Sequence, residues 1–214
     1  RDIGVTGVQT CALPISRLLL LRSDDHGQHR PQDARDALDV LIARALRAPP
    51  LCMKTIAWDI DDVLNDLTRG WLETAWKPTH PQSTVEYRML SANPPHEILG
   101  VSQSEYLRSL DAFRLSEAYE KLEPRPEIRR WFEQHGTRCR HIVLTAVPRV
   151  AVDRSASWVL RHFGRWVRVF AFVPSMRPDD DAVEYDKDKG EFLSWMGKAD
   201  ALVDDSPAQI AAAK

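Results

Sequence analysis

The chain is predicted to be an α/β protein: a three-layer, Rossmann-like parallel sheet with helices on both faces and a small helical cap inserted after the first strand. Two observations point there. Short apolar runs rich in β-branched residues alternate with segments of helical spacing, the pattern of a parallel sheet covered on both sides. About seventy residues separate the first such run from the second, too many for a simple crossover and enough for an inserted helical lobe.

Composition sets the bounds. With 214 residues, 43% hydrophobic and 28% charged, there is apolar material for one globular domain of ordinary size. The net charge is −2 and neither sign forms a long run, so neither a nucleic-acid nor an anionic-membrane partner is expected. Cys11, Cys52 and Cys139 are too few and too scattered for a disulfide framework or a zinc set, which predicts a reducing, cytoplasmic setting. The longest solid aliphatic run, Leu18 to Leu21, is too short to span a bilayer or form a secretory segment.

At the N-terminus, one reverse translation of "VTGVQTCALPI" (Val5 to Ile15) matches a common sequencing adapter read in frame, so this stretch is expected to be an artefact. Residues 17–52 include helical spacing at Ala34, Leu38, Leu41, Ile42 and Ala45, then end in "PPLC" before Met53. They read either as upstream sequence or as a real helix. "MKTIAWDIDD" begins like a protein, so Met53 is the expected start and residues 1–52 are expected to lie outside the core.

The first strand is predicted in "KTIAWDI" (Lys54 to Ile60). A cap over 65–135 follows, in which "TRGWLETAW", "SQSEYLRSLDAF" and "EAYEKLE" have helical composition and Pro78, Pro81, Pro94 and Pro95 punctuate. A cap of this kind acts as a lid that excludes water and selects the leaving group. The core, 53–64 and 136–214, resumes with a strand in "HIVLTA" and a helix ending at Gly164. A strand in "RWVRVFAFV", a helix in "KGEFLSWMG" and a strand in "ADALVDD" come next. A last helix opens at Pro207, and the sequence stops within it. Trp58, Trp71, Trp131, Trp158, Trp166 and Trp195 are expected in the core, and "RPDDDAVEYDKDKG" in a solvated loop.

The chemistry lies in the acids at strand ends. Asp59 and Asp61 follow the first strand, Asp204 and Asp205 end the last, and parallel strands bring both pairs to the C-terminal rim where open sheets bind ligands. Crowded carboxylates are costly unless a divalent cation neutralises them, and Mg²⁺ suits such oxygen donors. Thr145 ends the second strand at the same rim; with a lysine from "YDKDKGE" it would complete a cradle for a phosphoryl group. Asp62, Asn65 and Asp66 read as local turn formers, and His141 and Arg149 as structural or solvated.

In order, "DIDDV", "VLTA", "DKDKGEF" and "LVDDSP" resemble the four motifs of the haloacid dehalogenase superfamily in its Asp-x-Asp phosphatase branch, across about residues 54–210. The resemblance implies a magnesium-dependent phosphomonoester hydrolase acting on a small phosphorylated metabolite. Asp59 would be the nucleophile that forms an aspartyl phosphate, and Asp61 the general acid and base, its carbonyl also a metal ligand. Thr145 would hold a phosphate oxygen, Lys189 (with Lys187 as competitor) would offset charge, and Asp204 and Asp205 would bind the metal. Asp62 stands where the family commonly has Gly. "SWVLRHFG" and the paired "DD" are similar to the 5'(3')-deoxyribonucleotidase branch, which favours a nucleoside monophosphate; Ala146 and Val147 depart from that branch's Ser-Pro. In that family one more strand follows the last helix, so truncation at Lys214 and an uncovered edge at "ADALVDD" are expected. A phosphotransferase and a catalytically silent binding domain or fragment are the alternatives.

Overall fold

The structure is a computed structural model that describes residues 53–175, 177 and 181–213, with the backbone of Leu18–Leu20. The adapter-like stretch and the helical spacing at 34–45 lie outside the described residues. Strands β1 (Leu18–Leu20), β2 (Thr55–Trp58), β3 (Arg140–Val147), β4 (Val167–Pro174) and β5 (Ala201–Asp204) form one sheet in the order β1-β5-β2-β3-β4. Every pairing is parallel. The fold is therefore the α/β, Rossmann-like architecture that the alternating pattern predicts.

Alternation along β2 explains the two helical layers. Ile56 and Trp58 point to one face, and Ala57 to the other. On the first face they pack with α6 (Pro126–His135) and α7 (Val152–Phe163): Trp58 meets Trp131 at 5.2 Å and Phe132 at 5.0 Å between ring centroids. On the second face, Ala57, Ile142, Leu144 and Leu202 pack with Leu193 of α8 (Lys189–Met196) and with Ala213, just beyond α9 (Pro207–Ala212). His141 is structural: its Nδ1 accepts from Trp58 Nε1 at 3.1 Å and its Nε2 lies 2.7 Å from the Gly136 carbonyl.

The insert between β2 and β3 runs through α1 (Leu67–Trp71), a π-helical turn (Leu72–Trp76), α2 (Lys77–Thr79), α3 (His96–Leu99), α4 (Gln103–Arg114) and α5 (Glu117–Glu120). Its ends meet at an antiparallel bridge, Asn65 to Pro124, beside Arg125 N donating to Leu64 O at 2.9 Å. Within the 65–135 bounds expected for the cap, α6 packs on β2, because Trp131 and Phe132 fill the face that Trp58 presents. The cap does not stand apart. Trp71, Trp76, Tyr106, Phe113 and Tyr119 share one apolar cluster with the sheet, and Trp158 Nε1 of α7 donates to Leu122 O at 2.8 Å.

Two further expectations are corrected. The strand "ADALVDD" is not an uncovered edge, since Leu18, Leu19 and Leu20 pair with Leu202, Val203 and Asp204. The backbone groups that β5 would expose on that side find partners there, so residues 18–20 of the stretch expected outside the core join the sheet. Trp195 is 77% exposed, because α8 turns Leu193 rather than Trp195 to the sheet. Among the described residues, no helix is long and apolar enough to cross a membrane.

Candidate active site

Strand register brings the acids together. Asp59 N donates to Val203 O at 2.9 Å, and Trp58 pairs with Val203, so Asp204 follows directly beside Asp59 at the C-terminal rim. Carboxylate oxygens of Asp59, Asp204 and Asp205 all lie within 4.8 Å of one another. Burial, then repulsion from Asp59, pushes the Asp204 carboxyl up to about 6 against the pull of Lys189. Burial and the neighbouring acids Asp59, Asp62 and Asp204 push Asp205 up to about 8. Carboxyls that resist ionisation this strongly mark a site in want of positive charge.

One such charge is on the chain. Lys189 is 1% exposed, and its Nζ lies 2.8 Å from Asp59 Oδ1 and donates to Asp204 Oδ2 at 2.7 Å. Burial works to lower this ammonium, but Asp59 and Asp204 outweigh it and raise it. Its placement follows from local sequence. Asp188 caps α8 by accepting from Glu191 N at 2.9 Å, and Lys189 N donates to Gln209 Oε1 at 2.9 Å. Gly190 next to it lets α9 approach closely, since a Cβ there would stand 2.1 Å from Ala212 O. Lys187, the competing lysine, is 76% exposed on its side chain and reaches Glu191 at 3.8 Å. Lys189→Met should therefore cost about 3–5 kcal/mol, the cost of removing one partner from a buried ion pair. Chemical denaturation of the metal-free protein checks this; an unchanged midpoint would mean the ammonium does not offset these carboxylates.

Asp61 also reaches the rim, but its side chain turns toward the cap. Arg114, at the end of α4, donates to Asp61 Oδ2 from Nε at 3.0 Å and from Nη2 at 2.9 Å. Burial raises the Asp61 carboxyl, opposed by Arg114 and assisted by Asp59. Thr145 is buried on β3, two residues past Val143, the partner of Trp58, and so at the same rim. Asp62 adopts a left-handed φ of 58°, which explains why glycine suits this turn. Its carboxylate accepts from Thr68 N at 3.0 Å and from the Thr68 hydroxyl, a local role as expected. Asn65 likewise caps Leu67 N at 3.0 Å, while Asp66 pairs with Arg125 at 3.5 Å. Arg149 is not merely solvated: it pairs with Asp181, whose Oδ2 accepts from Nη2 at 3.0 Å.

Beside the acids opens a pocket lined by Asp62, Thr68, Tyr87, Asn93, Tyr106 and Asp205, among others. Asn93 Nδ2 reaches Asp205 Oδ2 at 3.4 Å, so residues of the insert stand over the acidic rim. Sequence reasoning missed Arg114, Tyr87 and Asn93. The only local sign was the Asp111 and Arg114 pair at helical spacing, which reads equally as a solvated ion pair.

No protein-family model matches the chain, and no curated protein does. Among solved structures it is similar to a haloacid dehalogenase-like family hydrolase from Streptococcus pneumoniae, with 12% identity, a TM-score of 0.49 and coverage of 75% of this chain and 80% of that one. A HAD-superfamily hydrolase of subfamily IA from Geobacter sulfurreducens shows 17% identity and a TM-score of 0.46 over 75% and 82% of the two chains. A 2-haloacid dehalogenase from Pseudomonas syringae shows 15% and 0.38 over 76% and 84%.

Proposed function

We propose that this chain is a magnesium-dependent phosphomonoester hydrolase acting on a small phosphorylated metabolite through an aspartyl phosphate. The observation that carries the proposal is the meeting of Asp59, Asp204, Asp205 and Lys189 at one rim. The motif order supports it, each motif falling at a strand end or a helix start.

The donor set suits magnesium. Three carboxylates offer hard oxygen atoms within 4.8 Å of one another, and the single ammonium of Lys189, 2.8 Å from Asp59 Oδ1, offsets only part of their charge. Asp59, Asp204 and Asp205 would hold the ion with the Asp61 carbonyl; bound there, it would neutralise the acids and polarise a phosphoryl oxygen. The chain's own groups do the rest. An Asp59 carboxylate oxygen attacks phosphorus as the bond to the leaving oxygen breaks, and Asp61 gives that oxygen its proton. Asp61 then takes a proton from water, whose oxygen attacks phosphorus and frees Asp59. Lys189 offsets charge shared by Asp59 and the phosphoryl group, and the Thr145 hydroxyl donates to a phosphoryl oxygen.

The leaving group would lie toward the pocket beneath the insert, where Tyr87, Asn93 and Tyr106 meet it. A nucleoside monophosphate is the substrate class that the "SWVLRHFG" and "DD" similarity favours. Phosphate release from an aryl phosphate tests the activity, and a panel of phosphorylated metabolites then ranks substrates. Release that requires Mg²⁺ is expected; no release under any divalent cation would leave a binding domain in its place.

A further inference from the structure

The two oxygens of Asp61 are held unequally. Arg114, 7% exposed on its side chain, directs both Nε and Nη2 at the same oxygen, Oδ2, at 3.0 and 2.9 Å. Among the described residues, the other oxygen, Oδ1, accepts one long hydrogen bond, from Asn65 Nδ2 at 3.5 Å. An oxygen that accepts two guanidinium N–H groups has its lone pairs occupied, so a proton on this carboxyl resides on the other one.

The guanidinium is itself fixed. Its Nη1 donates to Asp111 Oδ1 at 2.8 Å, one turn back on α4. Asp111 in turn accepts from Arg177, which follows β4, through Nε at 2.8 Å on Oδ2 and Nη2 at 3.1 Å on Oδ1. Arg114 is thus braced between the insert and the core, and its planar fork sets the rotation of the Asp61 carboxylate.

We propose that Arg114 is a positioning residue for the reaction: it fixes Asp61 through Oδ2 and leaves Oδ1 as the oxygen that delivers the proton to the leaving group and later receives one from water. The inference rests on the phosphomonoesterase reading above. In the first step the Oδ1–H bond breaks and the leaving oxygen gains the proton, while the Asp59 oxygen-to-phosphorus bond forms and the phosphorus-to-leaving-oxygen bond breaks. In the second step water gives a proton to Oδ1 as its oxygen bonds to phosphorus and the Asp59 oxygen-to-phosphorus bond breaks. The insert then does more than cover the site, because the seating of α4 decides whether the acid is aimed.

A purely structural ion pair would act differently from a positioning one. Losing it would lower activity on every substrate alike. Losing the aim of an acid harms substrates in proportion to their need for a proton. The test compares kcat/KM, which reports the steps up to the aspartyl phosphate, for an alkyl phosphate and for an aryl phosphate with an acidic phenol as leaving group. Arg114→Met removes the fork; Arg114→Lys keeps a charge without the planar double donor and serves if the first variant fails to fold. General-acid contributions of about 10²–10⁴-fold set the scale, so the alkyl ester should lose about tenfold more than the aryl ester in either variant. In an Asp61→Asn background the same substitutions should cause no further difference between the two esters. Equal losses on both esters, or a difference that survives in that background, would overturn the positioning role while leaving the hydrolase reading standing. A wild-type protein that hydrolyses neither ester would remove both.

Discussion

Asp59→Asn is expected to lower turnover by about four orders of magnitude or more, the scale seen when a covalent nucleophile is removed. The carboxamide keeps the shape of the side chain but cannot readily form an acyl phosphate. The fold should survive the loss of its charge: the backbone of Asp59 is anchored by its N–H to Val203 O at 2.9 Å, and Asp204, 2.7 Å from Lys189 Nζ, keeps that ammonium paired. Removing one of three crowded carboxylates also relieves repulsion, so thermal stability of the metal-free variant should hold or rise. Steady-state kinetics and thermal denaturation read the two effects separately, and activity within tenfold of wild type would take Asp59 out of the mechanism.

Chelation carries the second large effect. EDTA should abolish phosphate release, and excess Mg²⁺ should restore it, because Asp59, Asp204 and Asp205 then face one another with the Lys189 ammonium paired to Asp59 and Asp204. Stability of the metal-free protein should depend on pH in a definite direction. Asp204 and Asp205 are raised from 3.8 to about 6 and about 8, so the folded state binds more protons than the unfolded one above pH 3.8. The stability they contribute is fully present below that value and is lost progressively as pH rises from 3.8 through about 6, where the Asp204 share is spent, to about 8, where the Asp205 share is spent. Mg²⁺ binds only the folded cluster, so it should raise the melting temperature most at the upper end of that range. Full activity in chelator would sink the metal assignment, whereas a melting temperature that climbs through the same pH range would contradict the electrostatic account. Calcium should bind without supporting turnover, since its larger and looser coordination shell misplaces the nucleophile.

Much of this site was legible before the structure, and the reason is local. Strand ends, helix caps and the spacing of "KGEF" after Asp188 are short-range signals, and parallel strands necessarily deliver Asp59, Thr145 and Asp204 to one rim. The two lysines differ for a local reason too: the residue that opens α8 points inward to Asp204, and the one before the cap is exposed. What escaped depended on long-range pairing. Nothing near "SLDAFR" shows that Arg114 meets an acid 53 positions earlier in the chain. That Trp131 and Phe132 meet Trp58 is not visible locally either, because their helical spacing is the same whether they face a lid or a sheet. Trp195 misled for the converse reason: a large aromatic ring predicts burial on average, but the face of α8 that meets the sheet is set by Leu193.

The central claim, that phosphorus passes through a covalent bond to Asp59, is tested most directly by the stereochemical course of hydrolysis of a phosphomonoester made chiral at phosphorus with oxygen isotopes. Two successive in-line displacements, first by Asp59 and then by water, predict overall retention of configuration whether or not the intermediate accumulates. Inversion would mean that water attacks the substrate directly, and would contradict the account.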